Sequence, residues 1–491
     1  TVQRMTSLSA LFVLAGLLMY TYGRVRQQRG DSGMPLVVLG LVGGTLLAFF
    51  NKENGVLLLP LALLIEMAFF RFRSASVKID WNIVALLLVI PAVALVMMVV
   101  VEGYSPERLL AGYRHREFNL EERLMTEARI LWFYLRLILL PDNGLLGIWH
   151  DDIALSTTLL SPPTTIPSIF GIATLLIVGC TLLFRMPLIG MGILWFFVAH
   201  SLESTFIPLE LAHEHRNYLA SYGVLLVIFT SVSGLFGKFE KQRLGVLVML
   251  AFIAAYTVVT FERSQIWSNP VQHALVEAAN HPGSAKAQYE AGKSLIRLST
   301  GNSDLLEQGM DYLQSAAALD QTGFIADLSL LTTAQLHGQP VKPIWLNNIR
   351  DKIQQYPLGG SDISALRLLL ECQQSGRCRL PHDEVLELFR LAAGKGSLQA
   401  ITLHAFYEAN VMGHVERARR AFEKAVRRSP KEPSYRVNFA SFLAAVGDYD
   451  HARTELDIAR QLETFLVYKR EIEATHARMP GGTSYTEPGQ H

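Results

Sequence analysis

The 491-residue sequence has little excess charge, few cysteines and no concentrated stretch of basic residues. Its formal net charge of +1 argues against a nucleic-acid partner, because binding to a phosphate backbone relies on clustered Lys and Arg. Of the three cysteines, Cys180 lies in an apolar run and is interpreted as a small hydrophobic residue. Cys372 and Cys378 have no His or Cys companions at zinc-site spacing. They form either a disulfide, if this region lies outside the cytoplasm, or two unpaired thiols.

Long apolar runs are almost confined to the residues before Thr260, and charged residues concentrate after it. We therefore expect a multi-pass transmembrane domain over 1–262 and a soluble domain over 263–478. The tail over 479–491 lacks apolar spacing and should be disordered.

Several apolar stretches in the first part are near the length needed to span a membrane. They cover residues 6–20, 34–50, 55–70, 82–101, 124–140, 168–184, 187–204, 218–236 and 244–260. The chain begins at Thr1 without a Met and soon enters the first stretch, as a signal peptide would. Because no small-residue cleavage site follows and many apolar stretches do, we interpret the sequence as a truncated membrane protein.

Positively charged loops orient these helices, since Lys and Arg concentrate on the cytoplasmic side. Such loops lie at 24–29, 71–78 and 238–243. Five apolar stretches separate the second loop from the third, so one of them cannot span, and about eight spanning helices remain. We assign 124–140, which carries Arg129 and Arg136 on one face, to a helix lying in the membrane interface. The regions then expected on the outer face are 51–54, 102–123, 141–167, 201–217 and everything after residue 260.

Three of these outer loops carry dense groups of ionisable residues. The groups are Arg114-His115-Arg116, His150-Asp151-Asp152 and His213-Glu214-His215-Arg216. Acids and bases that converge beside an apolar wall are typical of an active site, and guanidinium groups are natural partners of phosphate oxygens. The alternative is that these are ordinary solvated loops, and paired aspartates also occur in simple turns.

The second part of the chain repeats with a 34-residue period. The corresponding pairs are Gly413 and Gly447, Ala418 and Ala452, Phe422 and Leu456, and Ala425 and Ala459. This period predicts tetratricopeptide-type helical hairpins, in which we expect the Gly and Ala positions to let two helices approach closely. An earlier unit covers 285–320, and 321–398 should supply degenerate helical pairs. The predicted fold class is all-α: a polytopic transmembrane helix bundle followed by an α-solenoid of such hairpins.

Several segments together resemble the transmembrane and tetratricopeptide-repeat O-mannosyltransferases and bacterial multi-pass proteins of similar layout in the GT-C glycosyltransferase superfamily. The resemblance is carried by Gln3-Arg4 before an apolar helix, Lys52-Glu53-Asn54-Gly55, Tyr134-Leu135 through Pro141 with Asp151-Asp152 soon after, Glu214 to Ser221, and Arg263-Ser-Gln-Ile-Trp267. It covers most of 1–300 and the repeat architecture after it.

The resemblance implies transfer of a sugar from a polyprenyl-phosphate donor to an acceptor on the outer face, with inversion. The family's key acid lies in the first outer loop, which we expect upstream of Thr1, so the catalytic residue itself is unknown here. Asp151, Asp152 and Glu214 are supporting candidates.

Arg216, at the membrane boundary, is expected to hold the donor phosphate bidentately. The other candidate phosphate-binding residues are His213, His215, Arg114, Arg116 and Lys52. A divalent metal is a further hypothesis, since His150, Asp151 and Asp152 could ligate one, although their spacing matches no established site. No other cofactor is indicated.

The first functional hypothesis is a glycosyltransferase of the bacterial inner membrane whose periplasmic repeats bind a protein or peptide acceptor. Its partners would be membrane lipid, the polyprenyl-phosphate-linked sugar and that acceptor, with no nucleic acid. One alternative is a non-enzymatic membrane scaffold for envelope or pilus assembly. The other is a ligase or polymerase acting on lipid-linked glycans, which needs no peptide groove.

Overall fold

The computed structural model describes residues 3–75, 78–102, 110, 112–463 and 467–480. Within these residues the chain is helical, and the only extended pairing is an isolated bridge between Arg73 and Ile79. The chain divides into two compact units, Thr1–Ala291 and Gly292–His491. The predicted all-α fold class, with membrane-type helices followed by helical hairpins, is confirmed.

The first unit consists mainly of apolar helices joined by polar loops. Its helices are α1 (Arg4–Gln28), α2 (Met34–Asn51), α3 (Glu53–Phe70), α4 (Trp81–Met97), α5 (Leu120–Leu139), α6 (Thr165–Arg185), α7 (Pro187–His200), α8 (Asn217–Lys238), α9 (Gln242–Trp267), α10 (Pro270–Asn280) and the start of α11 (Ala285–Leu298).

Six of these helices are long and apolar enough to cross a membrane, so the chain is a membrane protein. They are α1, α2, α3, α6, α9, and α8 with the short turn before it. The helices α4 and α7 are apolar but shorter. Counted with the six, they give eight apolar helices, and the sequence predicted about eight that span the membrane. Among the described helices, α5 is long but not among the six, because it carries several charged side chains.

Small residues let the membrane helices pack closely. A Cβ added to Gly16 of α1 would lie 2.6 Å from the carbonyl oxygen of Gly40 in α2. In the same way, a Cβ on Gly192 of α7 would lie 2.6 Å from the carbonyl oxygen of Gly223 in α8. Close backbone approach at small residues is the usual way in which helices associate in lipid, where burial of apolar surface gives no driving force.

The sequence analysis placed Arg24 in a charged loop, which is wrong. Arg24 lies within α1, because this helix continues to Gln28. The Arg24 side chain is buried, and its Nη2 lies 2.8 Å from Oε1 of Glu66 in α3. Its Nε donates to the other Glu66 oxygen at 3.0 Å. A buried charge requires such a partner, so this pair ties α1 to α3 rather than marking a membrane side.

The boundary between the two units lies between Ala291 and Gly292, beyond the 262/263 boundary proposed from the sequence. The physical reason is that α10 and the start of α11 bind the loop between α5 and α6. For example, Glu277 of α10 accepts a hydrogen bond from the Ile148 N–H at 2.8 Å. The first helices after the last long apolar helix therefore belong to the first unit.

The second unit is a succession of antiparallel helical pairs. Its helices after α11 are α12 (Ser303–Leu319), α13 (Ile325–Leu336), α14 (Pro343–Gln355), α15 (Gly360–Gln374), α16 (His382–Gly394), α17 (Leu398–Asn410), α18 (Val415–Arg428), α19 (Pro433–Ala445), α20 (Tyr449–Leu462) and α21 (Lys469–Ala477). The corresponding helices α18 and α20 begin one 34-residue period apart, at Val415 and Tyr449. Their repeated positions, including Ala418, Phe422 and Leu456, are buried.

The sequence analysis expected the repeated glycines to let two helices approach closely, but the structure gives them a different role. Gly413 and Gly447 lie in the turns between paired helices with φ of 70° and 86°. A Cβ added to either would meet nothing within 4 Å among the described residues, so the left-handed backbone, not close packing, requires glycine there. Close approach does occur in the earlier pair, where a Cβ on Gly292 would lie 2.7 Å from the Gly309 carbonyl oxygen.

Cys372 and Cys378 form a disulfide at the end of α15, which decides between the two alternatives left by the sequence. Cys180 is a free, exposed thiol on α6.

At the predicted disordered tail, Met479 is buried and the Pro480 carbonyl accepts a hydrogen bond from Arg453 at 2.8 Å. Residues 481–491 lie outside the described residues.

Candidate functional site

The three charged loops predicted to face one side come together in the first unit. In the described part of the first loop, the Tyr113 hydroxyl donates to the Phe206 carbonyl at 2.7 Å. The loop between α5 and α6 meets the same region, because the Gly147 N–H donates to the Glu214 carboxylate. The loop from 201 to 216 is therefore the common partner of the other two.

An arginine cluster, which we define as Lys52, Arg123, Glu127, Glu203 and Arg216, lies at the first of these meetings. Arg123 is on the first turn of α5, which begins after Asn119 with a capping box completed by Glu122. Its buried guanidinium donates to three backbone carbonyls of the neighbouring loop. They are those of Glu203 at 2.7 Å, Thr205 at 2.8 Å and Leu209 at 2.5 Å.

Glu127 lies one turn further along α5, and its Oε1 is 2.9 Å from Nη2 of Arg123. The Glu127 side chain is only 2% exposed. Burial raises the pKa of this carboxyl to about 7, although Arg123 and Arg216 oppose the shift. The cluster thus contains an acid whose charge changes near neutral pH.

Arg216, the residue expected to hold the donor phosphate, is buried and already bonded to its own loop. Its Nη1 donates to the Leu211 carbonyl and its Nη2 to the Glu210 carbonyl, both at 2.7 Å. Its Nε lies 4.0 Å from Oε2 of Glu203. These bonds use two of the five guanidinium donors and hold the loop in shape.

Lys52, His215 and Arg216, three of the predicted phosphate-binding residues, line one small cavity with Thr6, Ser9 and Asn54. Lys52 forms a 2.9 Å ion pair with Glu203. Burial alone would raise the pKa of Glu203, but Lys52 and Arg216 outweigh it and hold that pKa below its usual range. The cavity measures about 20 Å³, which is room for roughly one water molecule.

The remaining predicted phosphate-binding residues lie elsewhere. His213 stacks on His215 with ring centroids 5.1 Å apart, and its Nε2 lies 2.7 Å from Glu210. The hydrogen bond with His213 and the nearby Lys286 hold the pKa of Glu210 well below its usual range. Arg116 donates to the Pro208 carbonyl at 2.8 Å.

The Arg114 side chain lies outside the described part of the structure. The six predicted phosphate-binding residues are therefore not shown to form one site.

The metal hypothesis required Asp151 to lie with His150 and Asp152. In the structure, Asp151 bonds elsewhere. Its Oδ1 accepts from the Ser284 hydroxyl at 2.5 Å, and its Oδ2 accepts from the Lys286 N–H at 3.2 Å. Asp151 therefore caps the start of α11, where free backbone N–H groups and the helix dipole favour a carboxylate.

His281, which follows the last turn of α10, takes the place expected for Asp151. We define the histidine cluster as His150, Asp152, Glu214, Glu277 and His281. His281 Nδ1 lies 3.0 Å from Asp152 Oδ2, and the two imidazole rings have centroids 5.3 Å apart. His150 Nε2 lies 3.7 Å from Glu214 Oε1.

The backbone of the α5–α6 loop carries this cluster. The N–H groups of Gly147 and Ile148 donate to Glu214 and Glu277, respectively. A Cβ on Gly147 would lie 2.8 Å from His281 Nε2 and 2.9 Å from Glu277 Oε2. Only glycine leaves this space open. The hydrogen bond to Asp152 raises the pKa of His281.

Sequence reasoning missed Glu127, Glu203, Glu277 and His281. Glu203 carried no local signal, because its partner Lys52 lies 151 residues away in the sequence. Glu127 stands four residues after Arg123, a spacing that could have drawn attention to the pair. His273, Glu277 and His281 do recur at four-residue spacing, which places them on one face of α10 and could have drawn attention to it.

A groove of about 510 Å³ lies beside the histidine cluster. Its lining comprises Leu137, Ile138, Pro141, Leu146, Glu214, Asn217, Ser221, Leu225, Tyr256, Val259, Thr260, Arg263, Ser264 and Trp267. One wall is apolar, and the other end carries Arg263 and Glu214, whose charged atoms are 3.3 Å apart. The buried Tyr256 hydroxyl and Asn217 Oδ1 find no hydrogen-bond partner among the described residues.

No known family model and no curated protein matches this chain. Functional proposals therefore depend on the groove and the two clusters.

Proposed function

We propose that this protein is a membrane glycosyltransferase that moves a sugar from a polyprenyl-phosphate donor to an acceptor, as the GT-C resemblance implies. The observation that carries the proposal is the groove between α5, α8 and α9. It joins an apolar wall, suited to a polyprenyl chain, to a polar end with a guanidinium, suited to a phosphate.

The position of the groove on α8 and α9 supports a lipid ligand. Only 6% of the 18-residue apolar part of α9 is buried within the protein. The surface of this helix is therefore available to lipid. Arg263 lies near the end of this helix and donates to the Leu146 carbonyl at 2.9 Å. A polyprenyl phosphate entering from the bilayer would present its charged group at that level.

The chemistry requires an acceptor hydroxyl to attack the sugar carbon as its bond to the phosphate oxygen breaks, and a carboxylate to remove the hydroxyl proton. The resemblance implies that this carboxylate lies in the first outer loop of such enzymes, and the residue that supplies it is not assigned in this proposal. In this proposal Arg263 compensates the charge on the leaving phosphate, and Glu214 positions Arg263. Arg216, Lys52 and His215 would reach the phosphate only if their small cavity widened.

The acceptor in this proposal is a protein or peptide, bound by the second unit. Paired helices with a 34-residue period suit tetratricopeptide repeats, which bind extended segments along a groove. We also propose that the protein lies in the bacterial inner membrane with the repeats in the periplasm. The distribution of positive charge and the Cys372–Cys378 disulfide support this sidedness.

The direct test is sugar transfer by the full-length natural protein in nanodiscs, with a panel of radiolabelled polyprenyl-phosphate sugars. Arg263→Lys should reduce transfer by roughly tenfold or more, because an ammonium cannot copy the guanidinium fork. Arg243→Lys, an exposed position at the other end of α9, is the matched control. Donor turnover that is absent in the wild type, or equal in the two variants, would contradict the proposal.

Deletion of residues 399–478 separates a protein acceptor from a lipid-linked glycan acceptor. The deletion removes α17 to α21 and leaves the groove in place. We expect weaker transfer to the native protein acceptor with donor hydrolysis retained. Full transfer to the native acceptor after the deletion would favour the glycan ligase.

A membrane-anchored scaffold is the second candidate function. The hydrogen bonds made by two buried arginines favour it. Arg123 and Arg216 donate to backbone carbonyls, as they would in a purely structural loop. A scaffold predicts that polyprenyl-phosphate sugars are neither bound nor hydrolysed by the full-length protein.

A further inference from the structure

We propose that the histidine cluster binds one divalent transition-metal ion, with Zn²⁺ the ion best suited to its donor atoms. This inference is independent of the proposed sugar transfer. It concerns His150 and Asp152 of the α5–α6 loop and His281 at the end of α10.

Ligand atoms of three side chains converge in this cluster. One donor atom from each of His150, Asp152 and His281 lies within 4.8 Å of the others. Two imidazoles and a carboxylate form a common zinc ligand set, with metal–ligand bonds of about 2.0–2.2 Å. Small side-chain shifts would bring atoms at this separation into a single coordination sphere.

The two imidazoles are buried, and each has a nitrogen that other described residues leave unpaired. Both histidines are only 6% exposed, and Nε2 of each finds no hydrogen-bond partner in the described part of the chain. A buried nitrogen without a partner loses its hydration without compensation. Metal binding would displace the proton shared by His281 Nδ1 and Asp152 Oδ2, which lie 3.0 Å apart, so that both side chains can ligate one ion.

The charge of the cluster and the space within it also favour a bound cation. Asp152, Glu214 and Glu277 bring three carboxylates together, and Arg263 is the only Lys or Arg shown paired with any of them in the described structure. A dication would balance this excess. Gly147 leaves room beside His281 Nε2 that any larger residue would fill.

Because its ligands come from two segments, the ion would fasten the α5–α6 loop to the end of α10. Binding to the folded state alone would then raise the thermal stability of the protein.

The test uses the full-length protein, freed of metal with a chelator and titrated with Zn²⁺, and with Co²⁺ followed by its visible absorption. We expect one ion per chain and a rise in Tm on Zn²⁺ addition. His150→Gln and His281→Gln should each weaken binding by about tenfold or more. The control is His404→Gln in α17, since His404 also has an unpartnered buried Nε2, 3.4 Å from Glu408, but is not part of a described group of three ligands.

Asp152→Asn keeps the test decisive if a histidine variant fails to fold, because the Asp152 side chain is 26% exposed and tolerates substitution better. It should also weaken binding by about tenfold. The proposal is overturned if the wild type binds neither ion at micromolar concentration. Binding that is undiminished in folded His150→Gln, His281→Gln or Asp152→Asn protein would be adventitious and would overturn it equally.

Discussion

The arginine cluster and the histidine cluster, both built on the loops of the first unit, have opposite charge balances. Lys52, Arg123 and Arg216 face two carboxylates in the arginine cluster. In the histidine cluster, three carboxylates surround two imidazoles and have Arg263 beside them. The first cluster has cationic groups in excess, and the second has anionic groups in excess.

The two clusters also differ in what their basic side chains bond to. The guanidinium groups of Arg123 and Arg216 donate to five backbone carbonyls of the loop from 203 to 211. The Nε2 atoms of His150 and His281 have no such partners among the described residues. We infer that the arginine cluster mainly shapes the loop, whereas the histidine cluster and the adjoining groove are arranged for ligands.

The largest effect should come from removing Arg123. Arg123→Met leaves three carbonyls and the buried Glu127 without their partner, which should cost roughly 3–5 kcal/mol of unfolding free energy. Arg136→Met, at an exposed position on the same helix, should change it by no more than about 0.5 kcal/mol. Unfolding in detergent followed by tryptophan fluorescence would measure both. If the two variants lost the same unfolding free energy, the structural role assigned to Arg123 would be wrong.

The next effect concerns the pH dependence of stability through Glu127. Its folded-state pKa of about 7 lies above the unfolded value of about 4.3, so the folded state binds more protons between these values. Stability from this group therefore falls as pH rises from about 4 to 7, by up to roughly 3 kcal/mol.

Glu127→Gln removes that titration, so the variant should gain stability relative to the wild type as pH rises from 5 to 8. Parallel Tm profiles of the two proteins over this range would show that Glu127 ionises normally.

Arg216→Lys should have a smaller effect on stability, about 1–3 kcal/mol, because an ammonium cannot serve both the Glu210 and Leu211 carbonyls in the same geometry. The measurement is Tm together with sugar transfer. A loss of transfer larger than the loss of folded protein would support the phosphate role that the sequence predicts for Arg216. Unchanged Tm and unchanged transfer would remove both roles.

Gly147→Ala should have the smallest effect on stability, about 1 kcal/mol, since a single methyl group must displace flexible side chains. It should nevertheless weaken Zn²⁺ binding, because the methyl group fills the space beside His281 Nε2. Gly283→Ala is the control, as its Cβ would meet Asp152 at an ordinary 3.4 Å. Equal zinc affinity in the two variants would mean that the open space at Gly147 is unrelated to metal.

The sequence predicted the helices and the repeat spacing well because these follow from local periodicity. Ala418 and Leu456 are buried where the 34-residue pattern requires large or small apolar residues. The sequence could not reveal that Asp151 caps α11, because this depends on the packing of residues more than a hundred positions apart. It also interpreted Arg24 as a loop charge, because Glu66, 42 residues further on, becomes its neighbour only in the folded chain.

The proposed sugar transfer requires above all that the groove bind the polyprenyl phosphate. Photocrosslinking of the full-length protein in nanodiscs with a photoreactive polyprenyl phosphate, followed by peptide mapping, tests this directly. We expect labelling within 137–146, 217–225 and 256–267, suppressed by unlabelled polyprenyl phosphate and reduced by Arg263→Lys but not by Arg243→Lys. Labelling that concentrates on the apolar surface of α2, or that unlabelled polyprenyl phosphate does not suppress, would contradict the account.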